Sequence, residues 1–296
     1  MGDGAGSAVQ VLAVDIGGTK LAAGIVDGDG VLLRSVRRPT PGNGDAEALF
    51  AALTGMVADV RGDEDVAACG VGCGGPMAAG GDTVSPLNIP AWVAFPLRSR
   101  LAAAVGAPTF VDNDAKSLAL GEGWRGAAAG RRNFLAMVVS TGVGGGLVVD
   151  GRLLDGGTGN AGHIGHVIVE PGGRRCACGA RGCLEAEASG PSIAAATGRP
   201  VEEASPEVVV RTATLVGRAV ASVANLCDLG LAVVAGSVAL GFGAPFFAAA
   251  QAELDRSARL SFSRGARVVP AGLGADGPLV GAAAVAWRGL GRFSLG

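Results

Sequence analysis

Short apolar runs alternate with Gly-rich turns along the chain, and the whole pattern comes twice. Near the start, VLAVDIGG and LAAGIVDGDG read as the two strands of a hairpin, with VLLRSVRR as a third strand. Residues Ala46 to Val60 carry apolar positions at helical spacing, and VAACGVGCGG returns to a strand that ends in a Gly-rich loop. A second α/β stretch follows, with a helix near Leu97 to Val105, the strand PTFVDND and a helix from Ala115 into the GAAAG stretch. FLAMVVSTGVGGGLVVDGRLL then restarts the pattern as strand, Gly-rich turn and strand. Behind it come an apolar helix around Val208 to Leu226, the strand LAVVAGS, a helix around Pro245 to Ala258, the strand ARVVPAG and a closing helix near Leu279 to Leu290.

This repetition predicts an α/β protein of two lobes built from a duplicated α/β unit, with a central cleft between the halves. The expected boundaries are a disordered N-terminus over 1–8 and an N-terminal lobe over 9–115, completed by the C-terminal helix 283–296. A C-terminal lobe over 116–282 carries a metal-binding loop at 163–185. Identity between the halves is slight, so the repeat is one of pattern.

Composition narrows the function. At 296 residues the chain is long enough for two lobes of ordinary domain size. Charged residues are 17%, below the roughly 25% usual in soluble proteins, and hydrophobic residues 49%, which excludes a disordered chain. No apolar run approaches the roughly 18 residues of a membrane helix. The opening MGDGAGSA lacks the charged start and apolar core of a signal peptide, so a cytoplasmic protein with no membrane partner is expected. Net charge is −2 with no basic block, so nucleic acid is not an expected partner. Cys69, Cys73 and Cys227 sit apart in apolar surroundings and read as small buried residues.

DIGGTK, Asp15 to Lys20, lies where the first strand turns into the second. It is either a tight turn or a phosphate loop. In the second reading Gly17 and Gly18 admit an anion close to the backbone, Thr19 adds a hydroxyl, and Asp15 holds the Mg²⁺ of a nucleotide directly or through water. STGVGGG, Ser140 to Gly146, takes the same place in the second half. Consecutive glycines cost chain entropy in a mere turn, whereas a loop wrapping phosphate oxygens uses its N–H groups; two such loops point to a nucleotide triphosphate. VDNDAK sets Asn113 and Asp114 between a strand and a helix. The pair is either a helix cap, or Asp114 is a general base for a hydroxyl with Asn113 bonded to the same substrate.

Residues 160–185 hold both histidines of the chain and three of its six cysteines. His166, Cys176, Cys178 and Cys183 are spaced H-x9-C-x-C-x4-C, a closed tetrahedral zinc set, so the metal is expected to be structural. In a reducing cytosol clustered cysteines are metal ligands more often than disulfides. His163 and Glu185 then either lie on the surface or are presented by the metal knot to read sugar hydroxyls.

Together these motifs resemble the ROK family (repressors, open reading frames, kinases). DIGGTK is similar to its first phosphate loop, STGVGGG to its second, DNDA to its catalytic segment, and GHIGH with CACGARGCLE to its sugar and zinc signature. The resemblance runs from about Val11 to the C-terminal LGADGPLVGAAAVA. It implies an actin-like ATPase (ribonuclease H-like) fold and transfer of phosphate from ATP to the 6-hydroxyl of a hexose or an N-acylhexosamine. Mg²⁺ accompanies the nucleotide, and the Zn²⁺ is structural. It implies Asp114 as the base, with Asn113, His166, Glu185 and Gly75 on the sugar, and one ring nitrogen of His166 on zinc. Nucleotide contacts are implied at Asp15, Gly17, Gly18, Thr19 and Lys20, and at Thr141, Gly142, Gly144 and Gly145. AGSVALG puts Gly236 where the family has a Gly-rich adenosine loop, here reduced to one glycine of the usual run.

His163 departs from the family's glucokinases, where the residue three before the zinc histidine is commonly Glu; bacterial N-acetylmannosamine kinases resemble this GHIGH form. Sugar and ATP are the expected partners, with assembly as a homodimer or homotetramer. A repressor of the family would carry a DNA-binding domain before DIGGTK, and fourteen residues before Asp15 are too few for one. Both phosphate loops and Asp114 are present, so an enzyme is expected over a sugar-binding sensor.

Overall fold

The structure is a computed structural model that describes residues 9–42 and 45–295. The disorder expected over 1–8 lies outside the described residues.

The first sheet begins with β1 (Gln10–Ile16), antiparallel to β2 (Lys20–Asp27), which pairs antiparallel with β3 (Leu32–Pro39). Helix α1 (Ala46–Arg61) follows, started by Asp45, whose carboxylate accepts from Ala48 N at 2.7 Å. It ends at Gly62, whose φ of 59° few other residues adopt without strain. Next come β4 (Cys69–Cys73), α2 (Leu97–Val105), β5 (Thr109–Asn113) and α3 (Asp114–Arg125), with β4 parallel to both β1 and β5.

The second sheet repeats the plan. β6 (Phe134–Val139) is antiparallel to β7 (Val143–Val149), and β7 to β8 (Arg152–Leu153). Helices α4 (Leu184–Ala188), α5 (Gly190–Thr197) and α6 (Pro206–Cys227) lead to β9 (Leu231–Ala235), parallel to β6. Helix α7 (Ser237–Ser257), β10 (Arg267–Pro270) and α8 (Gly277–Gly289) complete the described elements. The strand orders are β3-β2-β1-β4-β5 and β8-β7-β6-β9-β10, the same order in both halves, so the duplication read from the pattern is present in the topology.

Two features differ from the expected elements. Helix α7 starts at Ser237 and not near Pro245, with a break at Gly243 (φ 63°, ψ −147°) that divides it. Pro245 then sits in the first turn of the second segment, where a missing N–H costs nothing. Helices α4 and α5 are too short to show a periodicity in the sequence.

The chain forms two compact units. Of the described residues, one comprises those of Met1–Arg125 with Gly157–Asn160 and Ala275–Ser294; the other comprises Gly126–Gly156, Ala161–Gly274 and Leu295. All of α3 therefore belongs to the first unit, beyond the boundary expected at 115, because α3 packs along α8 on the first sheet.

Both faces of that sheet are buried, by period 2. Leu12, Val14 and Ile16 face α1 and α2 in one cluster, while Val11 and Ala13 face Leu279, Ala283 and Trp287 of α8 in another. The α8 side is built from small residues because the helix lies almost on the strands: a Cβ on Gly70 would stand 1.9 Å from Ala282 O. No described helix is long and apolar enough to cross a membrane. Cys69 and Cys73 are buried in β4, as expected, and burial pushes the Cys69 thiol up to about 12.

Candidate active site and metal centre

In the first unit three parallel strands end in register, with Ile16 beside Cys73 and Cys73 beside Asn113. The chemistry expected there follows directly: Gly17 after β1, Gly75 after β4 and Asp114 after β5. Gly75 precedes a cis bond to Pro76, and its carbonyl accepts from Leu87 N at 3.3 Å.

Gly17 to Thr19 form the turn between β1 and β2, and Lys20 already belongs to β2. Gly17 N donates to Lys20 O at 3.0 Å, and Thr40 Oγ1 donates to Gly17 O at 2.6 Å, so the turn is braced from β3's end. Gly18 has no room for a side chain, since a Cβ would stand 2.6 Å from Asn88 Cβ.

Asp15 and Asp114 interact. Burial raises the Asp15 carboxyl to about 7, the charge of Asp114 adds to the rise, and Lys20 and Arg37 pull against it. Gly72 of β4, the partner of Asp15 across the ladder, would carry a Cβ 3.2 Å from Ser117 Oγ and in ordinary contact with Asp15 Oδ1 at 3.6 Å.

Asn113 and Asp114 do cap α3. Asn113 Oδ1 accepts from Ala115 N at 3.0 Å and Asp114 Oδ1 from the same amide at 2.8 Å. The cap reading and the base reading are compatible, because the cap fixes one carboxylate oxygen and with it the orientation of the group. Asp112, on the other side of Asn113, joins an ion cluster. Lys116 Nζ reaches Asp112 Oδ1 at 2.9 Å, and Arg288 Nη1 stands 3.4 Å from Asp112 Oδ2.

In the second unit the expected phosphate loop is shorter than STGVGGG. Only Ser140 to Gly142 form the turn; Gly144 and Gly145 are strand residues of β7, paired with Val138 and Met137. Their glycine character has a packing cause at Gly145, where a Cβ would stand 2.9 Å from Ile164 Cγ2 and 3.1 Å from Gly162 O. Ser140 Oγ lies 2.9 Å from Ser237 Oγ, which follows Gly236 at the start of α7. Gly236 has φ 100°, and a Cβ there would meet Val139 O at 2.3 Å, so backbone contact alone demands glycine.

His166, Cys176, Cys178 and Cys183 come together, their ligand atoms all within 4.8 Å of one another. One imidazole and three thiols fit a tetrahedral zinc ion. His166 Nδ1 faces Cys176 Sγ at 3.7 Å. Gly179 (φ 95°) turns the Cys-x-Cys loop, and Gly182 passes so close to Glu170 O that a Cβ would stand 1.8 Å from it. The backbone N–H of Ala180 favours the Cys178 thiolate and lowers its pKa, while burial pushes Cys183 up to about 12, a cost that a bound cation would reverse.

His163 is exposed, its ring 6.0 Å from that of His166 at 22°. Glu185, in the first turn of α4, accepts through Oε2 from Val143 N at 2.9 Å. Glu187, two residues further along α4, anchors the loop that carries the four donors. It is buried, accepts from Arg174 N at 2.6 Å and pairs with Arg211 Nη2 at 2.7 Å. Burial alone would raise its pKa, but the Arg211 and Arg174 bonds outweigh this and hold it below the usual value. A charged residue amid small apolar ones, as in LEAEA and FVDNDA, was the signal for both Glu187 and Asp112.

The model of the ROK family matches residues 11–288. A glucokinase of Thermotoga maritima is 38% identical over 187 residues, 62% of this chain and 59% of that protein, so the match spans less than two thirds of the relative. An N-acetylmannosamine kinase of Citrobacter koseri is 38% identical over 253 residues, 79% of this chain and 86% of that one. Among solved structures, a ROK family glucokinase from Streptomyces griseus in complex with glucose and AMPPNP has a TM-score of 0.82 at 31% identity, covering 94% of this chain and 99% of that one. The two five-stranded sheets are those of the actin-like ATPase fold. With the matched family model spanning all but the ends, the chain belongs to the ROK family.

Proposed function

We propose that this chain is an ATP-dependent sugar kinase that phosphorylates the 6-hydroxyl of a hexose or an N-acylhexosamine. The observation that carries the reading is that the parallel strands bring Asp15 and Asp114 to one end of the first sheet: Asp114 is oriented by an amide, and the Asp15 carboxyl is raised to about 7 by burial and by the charge of Asp114. Relatives named glucokinase and N-acetylmannosamine kinase support the reaction class.

In this reading Asp114 accepts the proton of the 6-hydroxyl as that oxygen bonds to the γ-phosphorus, and the bond from phosphorus to the β–γ bridging oxygen breaks to release ADP. Asn113, Gly75, His163, His166 and Glu185 hold the sugar. Gly17 spends its amide within its own turn, so Gly18 and Thr19 are the donors for phosphate oxygens there, with Thr141 and Gly142 in the other turn. Asp15 would hold Mg²⁺, directly or through water, and that ion neutralises charge on the phosphates. His166, Cys176, Cys178 and Cys183 would hold zinc with four protein ligands, and an ion so enclosed would serve structure.

His163 is the specificity determinant in this reading. Its ring can donate to an acceptor-only N-acyl carbonyl, which a glutamate would repel. An ADP-release assay across glucose, mannose, allose, N-acetylglucosamine and N-acetylmannosamine tests the proposal. His163→Glu should shift kcat/KM towards glucose and away from N-acetylmannosamine by roughly tenfold, the worth of one exchanged hydrogen bond. No ADP release with any sugar would sink the kinase reading; an equal loss on all sugars would remove His163 as the selector.

A further inference from the structure

The turn Ser140–Gly142 is clamped on both flanks by the segment that leaves the metal loop. At its first residue, Ser140 O accepts from Gly190 N at 2.8 Å, at the start of α5. After it, Val143 N donates to Glu185 Oε2 at 2.9 Å, on α4. Gly142 between them has no side chain, and a Cβ there would stand 3.0 Å from that same carboxylate oxygen. Glu185 is itself fixed: its carbonyl accepts from Ser189 N at 3.1 Å and from Ser192 Oγ at 3.1 Å, and α4 begins one residue after Cys183. An N–H at the mouth of a hairpin has no ladder partner of its own, so a carboxylate placed on it sets how the turn's neighbouring amides point.

We infer that Glu185 is a positioning residue for the Ser140–Gly142 turn, so that affinity for the nucleotide's phosphates depends on a side chain of the metal loop even when no sugar is bound. The inference rests on the reading of this turn as a phosphate loop, and it gives Glu185 a second task carried by Oε2 besides contact with sugar.

Titration calorimetry with ADP and Mg²⁺, without sugar, tests it. Glu185→Ala should weaken ADP binding about tenfold, while Glu185→Gln, whose amide oxygen can still accept from Val143, should stay within about twofold of wild type. Gly142→Ala should weaken binding in the wild-type background and add little in the Glu185→Ala background, where no carboxylate remains to be displaced. Unchanged affinity in Glu185→Ala, or equal losses in the Ala and Gln variants, would overturn the inference and leave the kinase reading standing. Wild-type protein that binds no ADP would sink both. If Glu185→Ala does not fold, Gly142→Ala alone decides: a folded variant with wild-type ADP affinity overturns the inference.

Discussion

Lys116 Nζ lies 2.9 Å from Asp112 Oδ1, and the two side chains are only 3% and 12% exposed. The pair spans the junction of β5 and α3, one partner on each side of Asn113 and Asp114, and Lys116 also donates to Gly159 O at 3.2 Å. Asp112→Ala would remove the counter-charge of a buried ammonium, so a loss of about 3–5 kcal/mol is expected in denaturant unfolding. Replacing both, as Asp112→Leu with Lys116→Met, should cost clearly less than either single change. Single variants of wild-type stability would show that water reaches the pair.

Asp114→Asn retains the cap on Ala115 through its amide oxygen and loses the proton acceptor. Turnover should fall by about 10² or more with sugar affinity and melting temperature nearly unchanged. Steady-state kinetics beside calorimetry checks this, and a variant that keeps most of its kcat would remove Asp114 from the chemistry.

The four-donor cluster predicts bound zinc, found by elemental analysis of protein purified without chelator. Cys178→Ser should release the metal and lower both melting temperature and sugar affinity, since His163, His166 and Glu185 ride on the same segment. Metal-free wild type with unaltered melting would refute the site.

Asp15 predicts an unusual dependence of stability on pH. Its carboxyl rises from 3.8 to about 7 on folding, so in that interval the native state keeps a proton that the unfolded chain has lost. Stability of the protein without Mg²⁺ or nucleotide should therefore decline as pH climbs from the lower value to the upper and level off above it. Asp15→Asn should flatten this part of the curve. Thermal unfolding at a series of pH values checks it, and identical slopes in both proteins would assign the effect elsewhere.

Much of the fold was legible because both sheets obey period 2 or run apolar, and α1 and α2 show their apolar spacing plainly. The gathering of His166, Cys176, Cys178 and Cys183 was legible from spacing alone. What escaped the sequence is what tertiary contact decides. STGVGGG looks like one long loop, but Ile164 and the Gly162 carbonyl, distant in sequence, press on Gly145 and make it a strand glycine. In the same way Gly18 and Gly236 are glycines for the sake of Asn88 and Val139, which no local pattern reveals. Asp112 stood out as a charge in an apolar strand, but its partners did not: Lys116 and Arg288 read as surface charges until α3 and α8 bring them to it.

Helix α8 has one further consequence, for synthesis. It follows the last strand of the second sheet yet supplies the apolar cover for β1, β2 and β4 of the first. A chain growing from the ribosome thus leaves the Val11, Ala13 and Ala68 face of the first sheet covered only in part, by Leu32, Phe110 and Trp124, until α8 has emerged. The second unit can close first, and the part made earliest is finished last. That order gives α8 the standing of a latch, without which the first sheet has no complete interior.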